Sequence, residues 1–450
     1  MVVEALVGRL HGVLEAAEAA SPVEAVEAVT GELGRALGAA RVSFMIADLA
    51  RRSLTRLTVM PDEPPASRPV PGGTVAIDLE GGSLRRSGRE AAQVLVLDSG
   101  PLERALREQT LSCTRRDDDW WVLAPVSERG EVLGLLELIL PEEPDEKVLE
   151  EVRWSAHVLA FVVIANRRHT DLFEWAQRGT PPTLSAEIQR RLLPAAYTCE
   201  AAAFTLAGWL EPAGSVAGDT FDYSLGRDTL HLSITDAVGH GVDSALIATL
   251  CTASLRNSRR QGLNLTEAAA RAHDDIALHG DHGNLEWRGE AFATGLLTSL
   301  HLPSGVLTAV NAGHVLPLLA RGGRVDPLPL PADLPMGLVP ETTYHSTDVP
   351  LRPGDRLLLI TDGMLERSAA DLDLTAHILA TLGDHPREAV RQLSDAVLSV
   401  VRGTPPDDAT LLILDWHGGH HRARHSRAGA DTARTFPPAG GVARVSSRRA

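Results

Sequence analysis

The sequence predicts an α+β chain in which two folded domains are joined by a helical linker. Three observations point there. Residues 41–140 alternate apolar and polar positions in strand-length segments parted by Gly- and Pro-containing turns. Asp145 to Arg178 then runs 34 residues without proline or glycine. Beyond it, several apolar strand patterns each end on an aspartate in or beside a turn. With 44% hydrophobic and 23% charged residues over 450 positions, the composition is that of an ordinary globular chain with room for two or three domains. A mostly disordered or fibrous protein is excluded on the same ground.

The first domain is expected over residues 1–144. Val26, Val29, Leu33 and Leu37 share one helical face. Arg41–Ala47, Leu54–Val59, Val94–Leu97, Trp121–Pro125 and Val132–Leu140 read as strands, and Pro61–Pro71 as a loop. Ala124 to Glu137 carries a hairpin signal with its turn at Gly130.

Linker helices are expected over residues 145–198. As one helix, Asp145–Arg178 would reach about 50 Å at 1.5 Å per residue. Val152, Ala156, Leu159, Val163, Asn166, Thr170 and Phe173 are spaced alternately four and three apart. Two packings share that spacing: a parallel dimer seam with Asn166 setting the register, and a helix laid on its own domain. The first makes the chain a homodimer through the linker. The break at Gly179-Thr-Pro-Pro182 is followed by a second helix, Ser185–Leu193, closed by Pro194.

An output domain is expected over residues 199–416. The last stretch, 417–450, holds seven arginines, four histidines and one aspartate. It lacks the apolar content for a core and is expected to be a disordered basic tail. Its net charge of +6 leaves −22 on the rest of a chain whose total is −16. That acidic balance disfavours nucleic acid and anionic membrane as partners. The three cysteines, Cys113, Cys199 and Cys251, are far apart, which disfavours a disulfide framework or a zinc ribbon. The first 20 residues carry Glu4, Arg9, His11, Glu15 and Glu18 and so lack a signal-peptide apolar core. The longest apolar run, Val158–Ala165, is far short of the roughly 20 residues that span a bilayer. A cytoplasmic location is expected.

The chemistry is expected at acidic positions. Asp219 and Asp222 follow Val216-Ala-Gly; Asp236 ends the strand Leu230–Thr235; Asp362 ends Arg356–Thr361 and precedes Gly363; Asp407 and Asp408 open the strand Ala409–Leu414. An aspartate at a strand end is most often a turn or cap residue. Four carboxylates from distant parts of the chain, however, are costly to bring together unless cations neutralise them. Hard divalent ions such as Mg²⁺ and Mn²⁺ suit all-oxygen ligands, and two ions about 3.5–4 Å apart can share a carboxylate and activate a water. Gly239 and Gly241 bracket a turn into a helix from Val242. Ser244 lacks a nucleophile-elbow context and is expected in that helix's first turn. His240 and His314, in Gly-containing turns, are read first as loop-holding residues and second as a general base and acid, and Asp355 as a turn residue.

Two resemblances extend this reading. The strand "APV", the Gly130 turn, "GEVLGLLEL" and a closing helix resemble the second half of a GAF domain, a small α/β sensor module. "EPAGSVAGDTFDY", "TDAVGHGVDSALIA", "TGLLTSLHLPSGVLTAVNAGHVLPLL", "LRPGDRLLLITDGMLER" and "DDATLLIL" resemble, in order, the PPM-type (PP2C-like) serine/threonine phosphatases of the SpoIIE/RsbU branch. The resemblance implies an α-β-β-α sandwich and metal ligands Asp219, Asp236, Asp362 and Asp407, with Ala237 lending its backbone carbonyl. Asp236 would bridge two Mn²⁺ or Mg²⁺ ions. Asp408, Asp222, Gly239, His240 and Gly241 rank below these. Ala217 stands where the family pattern has glycine. Ile188-Gln-Arg-Arg-Leu-Leu-Pro194 resembles the branch's switch helix, with Gln189, Leu192 and Leu193 as its coupling residues. The implied activity is hydrolysis of phosphoserine or phosphothreonine on a STAS-type anti-sigma-factor antagonist, under control of the sensor. The competing readings are a phosphatase-like signalling scaffold and a metal phosphodiesterase.

Overall fold

The computed structural model describes residues 2–48, 52–59, 83–87, 90–178, 183–212, 218–239, 241–282, 291–365, 372–400, 407–418 and 429–431. They fall into two compact units. One runs to Arg178 and includes Gly429–Asp431; the other runs from Thr183 to Gly418.

The first unit contains α1 (Val2–Ala19), α2 (Ala25–Leu37), β1 (Arg41–Ala47), β2 (Ser53–Val59), β3 (Ser83–Ser87), β4 (Glu90–Val96), α3 (Pro101–Glu108), β5 (Ser112–Arg116), β6 (Asp119–Glu128), β7 (Glu131–Leu140), α4 (Glu146–Asn166) and α5 (Leu172–Ala176). Its strands form one antiparallel sheet in the order β3-β4-β2-β1-β7-β6-β5. Strand alternation splits the apolar side chains between two faces. Phe44, Ile46, Leu136 and Leu138 pack with Val13, Val29, Leu33 and Leu159 from the helices. Met45, Leu54, Leu123 and Leu135 pack with Ala105 and Leu106 of α3 on the opposite face. The β6–β7 hairpin turns at Arg129 and Gly130, both at positive φ. The five expected strands are all present, and β3, β5, α1 and α3 join them.

The linker differs from its expectation. Asp145 caps α4 by accepting from the Val148 N–H, and the helix ends at Asn166, 21 residues long. A 3₁₀ turn over Arg167–His169 follows, and Thr170 is extended, its hydroxyl accepting from the Leu172 N–H. The run Arg167-Arg168-His169 offers no apolar side chain to hold a further turn on the core, and the Thr170 hydroxyl takes the first amide of a new short helix instead. The dimer seam is used internally: Val152, Ala156, Leu159, Val163 and Phe173 are all buried in the first unit's own core. Asn166 donates to the Val162 carbonyl of its own helix. Residues 145–178 therefore belong to the first unit rather than to a free linker, and the homodimer through this helix loses the stripe on which it was read.

The second unit contains α6 (Leu184–Leu192), β8 (Thr198–Glu200), β9 (Phe204–Glu211), β10 (Asp219–Leu225), β11 (Thr229–Ala237), α7 (Gly241–Gln261), α8 (Leu265–His282), β12 (Ala293–His301), β13 (Val306–Ala312), β14 (Leu318–Arg321), β15 (Arg324–Pro327), β16 (Ala332–Asp333), β17 (Thr347–Pro350), β18 (Arg356–Ile360), α9 (Leu374–Ala380), α10 (Pro386–Val400) and β19 (Ala409–Trp416). One sheet runs β10-β11-β12-β13-β16, with β17 also on β13; the other runs β15-β14-β18-β19-β9-β8. Three apolar cores fix the layers. Phe221, Ile234, Leu300, Leu359, Leu412 and Trp416 fill the space between the sheets. Ile247, Ala248, Cys251 and Ile276 cover the first sheet from α7 and α8. Ile378, Val390, Leu393 and Val397 cover the second from α9 and α10. This is the α-β-β-α sandwich that the phosphatase resemblance implies. None of the three cysteines is in a disulfide. Among the described residues no helix is long and apolar enough to cross a membrane. Most of residues 417–450 lies outside the described residues.

Candidate metal centre

Both sheets deliver aspartates to one edge of the sandwich. Asp219 opens β10 and is the register partner of Asp236 near the end of β11. β18 and β19 are antiparallel, so Asp362, just after β18, and Asp407, just before β19, leave the second sheet at the same end. The link between sheets is made by hydroxyls. Thr361 Oγ1 and Thr410 Oγ1 both donate to Asp219 Oδ2, at 2.7 and 2.6 Å. Thr361 Oγ1 in turn accepts from the Thr410 N–H at 3.0 Å. Two donors on one carboxylate oxygen fix the Asp219 side chain and commit none of them to Oδ1.

Close approach of backbone completes the frame. A Cβ on Gly363 would stand 1.9 Å from the Asp408 carbonyl oxygen, so only glycine lets the Asp362 turn sit on the Asp407–Asp408 segment. Asp407 Oδ1 accepts from the Asp408 N–H at 2.8 Å.

The cluster is electrostatically frustrated. Burial raises the Asp219 carboxyl well above its ordinary range, and Asp236 and Asp408 add to the rise, against the pull of the two threonine hydroxyls. Burial, with Asp362, Asp407 and Asp408 nearby, pushes Asp236 up to about 7. Burial and Asp362 raise Asp407. Among the described residues no cationic side chain offsets these three groups. Among the described residues, no three His, Cys, Asp or Glu side chains are already closed into a metal-ligating group. Unneutralised carboxylates repel one another, and a cation would draw them in. The donors are oxygen only, so the set fits a hard divalent cation.

Other expected residues sort themselves by partner. Asp408 is buried, and its Oδ2 accepts from Gln189 Nε2 at 2.7 Å, Gly218 N at 3.0 Å and Asp219 N at 3.3 Å. It organises the loop under Asp219. Asp222 faces away from the cluster and is held by Arg256 at 2.9 Å and Arg259 at 3.2 Å. Its place among the lower-ranked site residues is thus taken by an ion pair to α7. Gly239 and Gly241 both have positive φ, as a tight entry into α7 requires. Ser244 lies in the first turn of α7 and donates to the Gly241 carbonyl. His240 and Ala217 lie outside the described residues. The Ala237 N–H donates to the Gly218 carbonyl at 3.1 Å. His314 is buried; its Nε2 meets the Ile360 carbonyl at 3.1 Å and its Nδ1 the Thr294 hydroxyl at 2.7 Å. That tautomer holds the loop onto β18, and burial lowers the pKa to about 4. Asp355 accepts from the Arg352 N–H and pairs with Arg321, a turn role.

The helix before the domain is part of the site. α6 is capped by the Thr183 hydroxyl, which accepts from the Ala186 N–H. Besides Asp408, Gln189 Nε2 donates to the Asp219 carbonyl at 2.9 Å. At the helix end, Arg256 donates to the Leu192 carbonyl, and Leu192 is buried among α7 and α8 residues. Leu193 packs at the margin of the inter-sheet core. Sequence reasoning missed Thr361, Thr410 and Arg256. A hydroxyl flanking each aspartate motif was the available signal for the first two.

Residues 226–417 match the family described as "Stage II sporulation protein E (SpoIIE)". The matched residues lie within the second unit. Among curated proteins the chain is 23% identical over 206 residues to phosphoserine phosphatase RsbP of Bacillus subtilis (strain 168), covering 44% of this chain and 49% of RsbP. It is 21% identical over 248 residues to phosphoserine phosphatase RsbU of the same organism, covering 51% of this chain and 68% of RsbU. The chain thus spans about half the length of RsbP. Among solved structures, the RsbU and RsbW domains of a Mycobacterium tuberculosis protein align over 48% of this chain and 62% of that one, at 26% identity and a TM-score of 0.41.

Proposed function

We propose that the chain is a metal-dependent protein serine/threonine phosphatase whose carboxylate cluster Asp219, Asp236, Asp362 and Asp407 holds two divalent cations, Mn²⁺ or Mg²⁺. The observation that carries this reading is the convergence of four oxygen-donor side chains from both sheets, mutually repelling and, among the described residues, without a cationic side chain that offsets Asp219, Asp236 or Asp407. Bound there, the ions supply an activated water and offset phosphoryl charge. The chain's own part is positioning. Thr361 and Thr410 aim Asp219; Gly363 lets Asp362 and Asp407 approach; Asp236 sits where it faces ligands from both sheets. The Ala237 carbonyl joins as a backbone ligand. Both ring nitrogens of His314 are already engaged, by the Thr294 hydroxyl and the Ile360 carbonyl, which suits a structural role.

The relatives are phosphoserine phosphatases by name. On the motif resemblance to the SpoIIE/RsbU branch, the substrate is a phosphorylated STAS-type anti-sigma-factor antagonist in a partner-switching pathway in the cytoplasm, with no nucleic acid or membrane partner. The first unit is a GAF-like sensor, and α6 transmits its state through Gln189, Leu192 and Leu193. The test is phosphate release from a phosphoserine protein, with and without Mn²⁺, for the full chain and for Asp236→Asn. Metal-dependent release lost in the variant supports the reading. A folded chain that binds Mn²⁺ and hydrolyses neither phosphoserine nor phosphothreonine favours the scaffold instead.

A further inference from the structure

We propose that the C-terminal segment at Gly429–Asp431 is a docking segment seated on the outer face of α4, so that the tail fastens back onto the first unit. α4 has two unlike faces. Val152, Ala156, Leu159 and Val163 point into the core. Trp154, His157 and Phe161, spaced three and four apart, form an outer stripe on which Phe161 is 50% exposed. The His157 ring stands edge-on to Trp154 at 6.2 Å and to Phe161 at 5.0 Å. The Gly429 N–H donates to His157 Nδ1 at 3.2 Å. Ala430 and Asp431, the next two residues, are 7% and 1% exposed. A segment of tail composition has no core of its own, so this burial comes from the surface it lies on.

The seat is specific for its first residue. Gly429 has φ +72°, and a Cβ there would stand 2.9 Å from Ser127 Oγ. That hydroxyl is itself buried and has no hydrogen-bond partner among the described residues. The occupant is therefore this chain's own Gly-Ala-Asp segment.

Residue-resolved hydrogen exchange on the full chain tests this. The Gly429 and Asp431 amides should exchange at least tenfold more slowly than the amides of residues 442–449. Protein concentration should not change that ratio. Gly429→Val should abolish the protection while the melting temperature of the chain stays unchanged, and Ala439→Val should leave the protection intact. Free-chain exchange at 429–431 in the wild type overturns the proposal, as does full protection in Gly429→Val. Protection that grows with protein concentration overturns it in favour of a second copy on α4. None of these readouts depends on phosphatase activity.

Discussion

Gln189 on α6 and Asp408 before β19 are joined by a 2.7 Å hydrogen bond, although 219 residues separate them in sequence. The same Gln189 amide holds the Asp219 carbonyl, so the helix that precedes the domain touches the backbone of one metal-ligand candidate and the anchor beneath it. Both groups are buried, and a hydrogen bond to a charged acceptor there is worth about 1.5–3 kcal/mol. Gln189→Leu should therefore raise the Mn²⁺ concentration for half-maximal phosphatase activity by about tenfold or more. Gln189→Glu should do worse, because it sets a carboxylate against Asp408. A metal titration of the three proteins reads this directly.

Thr361 and Thr410 converge on one oxygen of Asp219. Removing one hydroxyl leaves the other in place, so Thr410→Val should lower kcat/KM by roughly tenfold, at about 1.4 kcal/mol per factor of ten. Losing both donors leaves a buried carboxylate without the hydroxyls that tie it to the second sheet. The double variant Thr361→Val/Thr410→Val should then fall further than the two single effects combined, because the pair shares one acceptor. Steady-state rates at saturating Mn²⁺ separate this positioning loss from weaker metal binding.

Arg256 ties three elements together: it pairs with Asp222 on β10, sits on α7 and donates to the Leu192 carbonyl at the end of α6. Arg259 remains beside Asp222 when Arg256 is removed. Arg256→Gln should therefore cost about 1–3 kcal/mol rather than the larger penalty of a stranded charge. Urea unfolding of Arg256→Gln, Asp222→Asn and the double variant would show a coupling energy well above zero.

The strands and the site aspartates were legible because their signals are local. Period-2 alternation marks Arg41–Ala47 and Val132–Leu140 whatever they pack against, and an apolar run ending in Asp-Gly marks a sheet edge. What was not legible depends on a partner far away in sequence. The spacing of Val152, Ala156, Leu159 and Val163 serves a dimer seam and an internal core equally, and only the sheet of the first unit selects the core. Asp222 and Asp408 look like Asp219 and Asp407 in sequence. The nearest cations, Arg256 and Arg259, claim Asp222, and three donors claim Asp408. The seat of Gly429 has no periodic signature at all.

His314 sets a pH dependence of stability. Its folded pKa is lowered to about 4 by burial, below the roughly 6.5 of an exposed imidazole. The unfolded chain therefore binds one more proton between those values, so stability is complete above about pH 6.5 and falls as pH drops toward 4. The full contribution is on the order of 3 kcal/mol. His385, also buried with a pKa lowered to about 4, acts in the same direction. Replacing His314 by Asn should reduce proton uptake on unfolding at pH 5 by about one relative to the wild type; the raised carboxyls of Asp219 and Asp236 act in the opposite direction in both proteins, so the difference between the two is what reports His314. Unfolding free energies from denaturant titrations between pH 4.5 and 7 would give that slope.

Leu159 decides between the two packings of α4. It lies at the centre of the four-three stripe and is fully buried in the first unit. In a dimer seam, Leu159→Ala would weaken association and make the loss of stability depend on protein concentration. In the core, the same change opens a cavity within one chain and costs about 2–5 kcal/mol at every concentration. The structure requires the second outcome. Thermal unfolding of the wild type and Leu159→Ala at concentrations a hundredfold apart should show a constant difference in melting temperature.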